Sequence, residues 1–276
     1  MSAQRPPAPV PPPLPAEAFD SHCHLDMIES PVPQVLAQAR AAGITRVVTV
    51  GCDLPTSRWA AATAAQHRDV FAAVAIHPNE TARAAGSATE REKVLAEIAA
   101  LASLPEVRAV GETGLDYYRD SAAPLIQQEW FRAHIEIAKR AGKALMIHDR
   151  DAHEDVLAIL AEVGPPEHVI FHCFSGDAGM ARQCADAGYV MSFAGTVTFS
   201  SAQQLRDAAA AAPAELILVE TDAPFLTPVP NRGRQNAPAQ VAHTLRAIAQ
   251  VRQIPAEELC AAIAVTGERV FGPWQE

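Results

Sequence analysis

His22 and His24 stand two residues apart in Phe19-Asp20-Ser21-His22-Cys23-His24-Leu25-Asp26, and their type and spacing suggest chemistry most directly. Side chains of an extended strand repeat every second residue, so both imidazoles leave the backbone on one face. Two imidazoles converging from one strand suit zinc, manganese, iron or nickel better than calcium. Groups of the same kind recur downstream at the ends of short apolar runs: His77, Glu112, His148, His172 and Asp222. Carboxylates and imidazoles gathered in one place repel and desolvate each other unless a cation sits among them. His22, His24, Glu112, His148, His172 and Asp222 exceed the ligand set of one tetrahedral ion, which leaves room for two ions bridged by a carboxylate or a water. Glu112, in the middle of the set, is the natural bridge. Two ions about 3.5 to 4 Å apart lower the pKa of a shared water. Asp222 is placed to ligate one of them and to accept the proton of that water.

The elements that must hold these residues follow from hydrophobic periodicity. Short β-branched or apolar runs over 18–24, 46–50, 70–77, 107–112, 144–148, 168–172, 189–193 and 216–222 predict eight strands. Amphipathic, alanine-rich segments over 33–42, 56–67, 90–101, 125–141, 151–162, 178–187, 201–211 and 238–251 predict the helices between and after them. Gly43, Gly142 and Gly188 each sit just past a helical segment, where a C-terminal cap favours a residue that tolerates positive φ. Strand then helix, eight times over, predicts a single α/β domain, a (β/α)8 TIM-type barrel, with its active site at the C-terminal ends of the strands. An open doubly wound sheet would need a glycine-rich phosphate loop after an early strand, and neither G-x-G-x-x-G nor G-x-x-x-x-G-K-[ST] occurs.

Composition narrows the class. A chain of 276 residues with 49% hydrophobic residues can bury a sizeable core. It contains no apolar run of the roughly 18 to 20 residues that a bilayer span requires, and its N-terminus lacks the pattern of a secretory leader. Five cysteines without C-x-x-C spacing exclude a zinc finger or a disulfide framework and suit reduced thiols. A soluble cytoplasmic protein, without membrane contact and monomeric, is expected. The net charge of −10 argues against stable nucleic-acid binding by general electrostatics, but not against a metal enzyme acting on phosphates. Lysine occurs only at Lys93, Lys139 and Lys143, so most positive charge is arginine, the better bidentate partner for phosphate. Residues 1–16 carry prolines at 6, 7, 9, 11, 12, 13 and 15; a disordered or polyproline tail is expected there, with the barrel over 17–276.

Five motifs in order resemble those of the TatD family of metal-dependent deoxyribonucleases, within the amidohydrolase-like barrels. They are Asp20-Ser21-His22-Cys23-His24-Leu25-Asp26, Gly111-Glu112-Thr113-Gly114-Leu115-Asp116-Tyr117, Ile147-His148-Asp149-Arg150-Asp151-Ala152, Phe171-His172-Cys173-Phe174-Ser175-Gly176 and Glu220-Thr221-Asp222-Ala223-Pro224. The resemblance runs from about Phe19 to Phe271. It implies that His22, His24, Glu112 and Asp222 ligate one metal, and that Glu112, His148 and His172 ligate the second. It also implies hydrolysis of DNA phosphodiesters, single-stranded or at 3′ ends, as a 3′ to 5′ exonuclease. His77 matches a family histidine that approaches the scissile phosphate, and Arg232 and Arg234 match a basic loop after the eighth strand. Tyr117 and Tyr118 could stack on a base, with packing as the competing use. The family is assayed with Mg²⁺, whereas four imidazole ligands favour Zn²⁺ or Mn²⁺, so two divalent metals are expected without a fixed element.

Two positions depart from the family pattern: Ala237 stands where a glutamate is common after the basic loop, and Thr266 where an asparagine precedes Arg-x-Phe. Neither touches a candidate metal ligand. The same activated water could hydrolyse a D-aminoacyl-tRNA ester or a small amide, and a metal-holding scaffold without turnover is a rival of a different class. Barrels with a bridging carboxylated lysine need a lysine at a strand's C-terminal end, where Lys143 is not.

Overall fold

The computed structural model describes residues 6–84, 86–119 and 121–273. In chain order its strands and α-helices are β1 (Ala18–Cys23), α1 (Val32–Ala41), β2 (Ile44–Val50), α2 (Leu54–Gln66), β3 (Val70–Val74), α3 (Thr81–Ala84), α4 (Ala88–Ala102), β4 (Val107–Asp116), α5 (Pro124–Ala141), β5 (Ala144–Arg150), α6 (His153–Val163), β6 (Val169–Phe171), α7 (Ala178–Asp186), β7 (Val190–Phe193), α8 (Gln203–Ala211), β8 (Ile217–Val219), α9 (Val241–Arg252) and α10 (Ala256–Phe271). The eight strands form one sheet in sequence order. Beyond β8 the chain pairs in parallel with the end of β1 through Cys23 and Ala223. Sequential parallel order with the last strand returning to the first is the topology of the expected (β/α)8 barrel.

Packing divides the chain into two compact units. The first comprises residues up to 48 together with 176–269. There β7 and β8 pair in parallel, Met191 opposite Ile217 and Phe193 opposite Val219. The Asp222 N–H donates to the His22 carbonyl at 2.9 Å and the His24 N–H to the Ala223 carbonyl at 2.7 Å, which aligns the end of β1 with the segment after β8. The second unit comprises residues 49–175 with the chain from 270 onward. It holds β3 to β6, paired in parallel with Val74 opposite Val110, Gly114 opposite His148, and Ile147 opposite Phe171.

Local sequence explains the elements. Asp53 caps α2 by accepting from the Thr56 N–H, and the Asp53 N–H donates in return to the Thr56 hydroxyl, closing a capping box. On α5, Gln127, Trp130, Phe131, His134, Ile135 and Ala138 recur at helical spacing, and all are buried. The three glycines expected to cap helices do so in the left-handed region, at φ +85° for Gly43, +62° for Gly142 and +73° for Gly188.

The strand limits differ from the expected ones at two informative places. β4 continues to Asp116 rather than stopping at Glu112, because Gly114 lets the β5 backbone come close: a Cβ there would lie 2.1 Å from the His148 carbonyl oxygen. β8 ends at Val219, because the chain turns at Asp222, whose φ is +52°. The helix over Ala256–Phe271 was not among the expected ones.

The proline-rich segment corrects another expectation. Met1 to Arg5 lie outside the described residues, but residues 6–16 do not form a detached tail. Leu14 is buried, its N–H donates to the Ala42 carbonyl at 3.0 Å, and the Arg246 guanidinium donates to the carbonyls of Pro12 and Pro13 at 2.7 and 3.0 Å. Proline forfeits its own N–H and keeps a carbonyl that others can use, so a run unable to build a core can still dock.

In α10, Gly267 faces the ring of Phe19, the first side chain of the His22 motif to be buried. A Cβ at 267 would lie 2.3 Å from the Phe19 ring. Gly267→Ala gains about 1 kcal/mol of helix propensity, but crowding a packed ring costs about 1–3 kcal/mol. The crowding should win, and thermal denaturation should show a fall of a few degrees. A raised melting temperature would mean that Phe19 has room to move.

Candidate metal centre

In the first unit, β1 delivers His22 and His24 as the period of two requires, and both are buried. Their Nε2 atoms lie 3.3 Å apart. The Asp222 Oδ1 atom is 3.6 Å from the Nε2 of His22 and 3.4 Å from that of His24. Ligand atoms about 2.0–2.1 Å from a tetrahedral ion are separated by about 3.3 Å, so these three are spaced as a shared cation would space them. The left-handed backbone of Asp222 and the pairing of its N–H with the His22 carbonyl bring the carboxylate back over β1.

Asp20 fixes this arrangement, a role the sequence reading did not give it. Fully buried, its carboxylate accepts from the Thr221 N–H at 2.8 Å, the Thr221 hydroxyl at 2.5 Å and the His22 N–H at 3.3 Å. Burial pushes its pKa well above the usual carboxylate range, against the opposing pull of the Thr221 bonds. The signal was its period-two spacing with His22 and His24, which puts 20, 22 and 24 on one face.

In the second unit, the carboxylate of Glu112 is the focus. Its Oε2 lies 2.9 Å from the His172 Nε2, 3.2 Å from the His148 Nδ1 and 3.7 Å from the His77 Nε2. Its Oε1 is 3.6 Å from the Cys52 thiol. Glu112 sits at 4% exposure, so its charge is largely removed from water. A buried carboxylate beside the imidazoles of His148 and His172 forms a donor set suited to a borderline transition metal.

The hydrogen bonds beyond Glu112 distinguish the three rings. The Nε2 of His148 is 3.3 Å from the buried Asp116 Oδ2, and that oxygen also accepts from the Asn79 amide at 2.9 Å. With Nε2–H donating to Asp116, the lone pair on Nδ1 faces Glu112, the arrangement by which a carboxylate orients a metal-binding histidine. Burial opposes protonation of His148, yet its bonds to Asp116 and Glu112 raise its pKa; those to His148 and Asn79 lower the pKa of Asp116 against its own desolvation. Asp116 was read only as part of a motif. Its signal was a strand continuing past Glu112, which puts 112, 114 and 116 on one face.

His77 differs. Its Nδ1 accepts from the Asn79 N–H at 3.0 Å, and burial, with Glu112 opposing, lowers its pKa to about 3. A neutral ring with Nδ1 already accepting carries its proton on Nε2. His77 therefore presents an N–H donor beside Glu112, which suits a substrate oxygen better than a cation.

A further buried histidine braces these strands. His134, on α5, accepts from the Ile76 N–H at its Nε2, 3.2 Å away, and its Nδ1 lies 3.0 Å from the Thr113 hydroxyl and 2.8 Å from the Trp130 carbonyl. It thereby ties the residue before His77 to the residue after Glu112. Nothing in the sequence pattern distinguished it from the other buried positions of α5.

The remaining expectations divide. Arg232 is exposed on the loop after β8, its guanidinium 4.0 Å above the Phe199 ring. Arg234 donates to the Pro7 carbonyl at 3.4 Å. The Tyr117 hydroxyl donates to Asp155 at 2.6 Å and so packs, whereas Tyr118 is 65% exposed beneath Arg150. Thr266 is buried in α10 and donates to the carbonyls of Glu215 and Ala262, both at 3.0 Å, a packing role.

Comparisons with known proteins place the chain among metal-dependent hydrolases. The family model for TatD related DNase matches residues 19–272. An uncharacterized metal-dependent hydrolase, TatD, of Mycobacterium tuberculosis is 44% identical over 262 residues, covering 92% of this chain and 97% of that protein. The uncharacterized metal-dependent hydrolase YabD of Bacillus subtilis is 37% identical, covering 92% and 98% respectively. Among solved structures, the TatD homologue YjjV of Escherichia coli superposes with a TM-score of 0.86 at 26% identity, over 93% of this chain and 98% of that one.

The support that Asp116 gives His148 can be measured directly. Asp116→Asn should weaken binding of Zn²⁺ or Mn²⁺ about 10- to 100-fold in a calorimetric titration. Unchanged affinity would remove Asp116 from that role.

Proposed function

The chain belongs to the TatD-related DNase family of metal-dependent hydrolases, and from that premise we propose that it cleaves DNA phosphodiesters, releasing nucleotides from 3′ ends in the 3′ to 5′ direction. The observation that carries this reading is the buried Glu112 carboxylate ringed by His148, His172 and His77 at 2.9 to 3.7 Å. As that family membership implies, we assign His22, His24 and Asp222 to one divalent ion, His148 and His172 to a second, and Glu112 as a ligand of both. When bound, the ions would polarise the phosphoryl oxygens and lower the pKa of the attacking water. Imidazole-rich ligation favours Mn²⁺ or Zn²⁺ over Mg²⁺.

The chain's own residues would do the rest. Asp222, with 15% of its side chain exposed, can exchange a proton with solvent and serves as the general base. His77 donates its Nε2–H to a non-bridging phosphate oxygen, where negative charge develops. Arg232 forks onto an adjacent phosphate from the loop after β8. Asp116 and Asp20 hold His148 and His22 in register.

This activity needs no stable nucleic-acid complex, in keeping with a net charge of −10. A monomer working in the cytoplasm completes the reading, consistent with five cysteines that form no disulfide among the described residues. Among the described residues no helix is long and apolar enough to cross a membrane.

The test is degradation of 3′- and 5′-labelled single-stranded DNA, with chelator and with Mg²⁺, Mn²⁺ or Zn²⁺ restored separately, beside a D-aminoacyl-tRNA and a small amide. Chelator-sensitive release of mononucleotides from the 3′ end is expected. Hydrolysis of the tRNA ester or the amide without DNA cleavage would transfer the same site to that substrate. Glu112→Ala should abolish metal binding and turnover together, whereas Asp222→Asn should keep at least one metal and lose about 10²- to 10⁴-fold in kcat. Arg232→Ala should raise KM for DNA while sparing a small phosphodiester; equal effects on both would remove it from substrate binding.

A further inference from the structure

The docked proline-rich segment meets a ladder of donors that leads to the turn carrying Asp222. The Gln235 N–H donates to the Pro6 carbonyl at 2.9 Å, and the Ala8 N–H donates back to the Gln235 carbonyl at 3.1 Å. The Arg234 guanidinium reaches the Pro7 carbonyl at 3.4 Å, the Gln240 amide donates to the Pro9 carbonyl at 2.8 Å, and Arg246 serves Pro12 and Pro13. The sequence of the segment matches this pattern. Prolines stand where a carbonyl is wanted, whereas Ala8 and Leu14 stand where the segment must donate an N–H.

Two chains of contact run inward from the ladder. Gln240 is 1% exposed, and its other amide atom, Oε1, accepts from Asn231 at 2.8 Å, immediately before Arg232. Asn236, the neighbour of Gln235, is fully buried and donates to the carbonyls of Thr221 at 2.9 Å and Phe225 at 2.5 Å. Those carbonyls bracket the turn in which the Phe225 N–H donates to the Asp222 carbonyl at 2.8 Å. Without the segment, the Gln240 amide would lose the acceptor that fixes its Nε2 and turns its Oε1 toward Asn231.

We propose that residues 6–14 are an intramolecular polyproline strap, bound in a receptor built from Arg234, Gln235, Gln240 and Arg246, that positions both the Asp222 turn and the Arg232 loop. A polyproline segment is already stiff and extended, so little conformational entropy is lost when it docks. The strap touches no substrate; it acts through Asn236 and Asn231. Its effect on DNA rests on the function proposed above, while its effect on the turn does not.

The experiment compares the full chain with a variant lacking residues 2–13. Deletion should speed amide hydrogen exchange across 221–236 while exchange in β3 to β6 stays unchanged. It should weaken Mn²⁺ or Zn²⁺ binding on the order of 10-fold, as loss of outer support does, and raise KM for DNA more than it lowers kcat on a small phosphodiester. A synthetic peptide of residues 1–14, at about the millimolar effective concentration of a tethered segment, should restore slow exchange in trans, and a scrambled peptide should not. Unchanged exchange at 221–236, or no rescue by the peptide, overturns the proposal. Should the deletion fail to fold, Arg246→Ala in the full chain must accelerate exchange over the same residues, since Arg246 reaches the strap carbonyls from outside the loop; unaltered exchange there also overturns it. Accelerated exchange in a protein that cleaves no DNA leaves the strap standing and removes only the substrate.

Discussion

A carboxylate removed from water and surrounded by imidazoles is the constraint on which the second unit depends. Glu112 could be ionised at such low exposure only if something compensated it, and neutral rings do so poorly. Asp116 turns the Nδ1 lone pair of His148 toward Glu112, and burial leaves His77 neutral, so neither ring brings positive charge. A divalent ion supplies the compensation, because it neutralises the carboxylate and occupies the imidazole lone pairs at once. The surrounding structure is arranged to hold the group at close quarters: Gly114 allows the β4 and β5 backbones to approach, and His134 ties the strand ends carrying His77 and Glu112 to α5.

The first unit solves a similar problem with backbone rather than a central acid. Two imidazoles two residues apart need only a strand, but a carboxylate from the other end of the chain must be brought to them. The pairing of His22 and His24 with Asp222 and Ala223 does this, and Asp20 reinforces it by binding both Thr221 donors. A buried acid placed this way acts as a hydrogen-bonded joint, with a pKa raised by its surroundings, rather than as a ligand. The two buried acids Asp20 and Asp116 therefore have parallel duties: each orients a donor and leaves ligation to another side chain.

What the sequence made legible follows from the range of the interaction involved. The strand period exposed His22 and His24, and the strand–helix rhythm exposed the barrel, because both are local patterns. Asp116 received no role because the fourth strand was expected to stop at Glu112, whereas Gly114 lets it run on beside β5 as far as Asp116. His134 was illegible because its partners lie on β3 and β4, far from α5 in sequence, and a buried histidine on an apolar face has no periodic mark. The docking of the proline run was illegible for a related reason. Composition reports what a segment cannot build for itself, whereas docking depends on donors at 234–246 that lie more than two hundred residues away.

The protonation of His77 decides how the imidazoles divide their labour. Distance alone would group His77 with Glu112 and His148, since their donor atoms lie within 4.8 Å of one another. Yet a ring nitrogen that accepts from a backbone N–H has committed its lone pair, and in a neutral imidazole the other nitrogen must then hold the proton. For His77 to ligate through Nε2, its Nδ1 would have to carry a hydrogen pointed at the Asn79 N–H, placing two donors face to face. His148 is under the opposite constraint: its Nε2 is committed to a carboxylate, and Nδ1 is left as the lone pair. Two histidines 4.4 Å apart are thus assigned different work by their outer hydrogen bonds, one to hold charge in place and one to meet it as it forms.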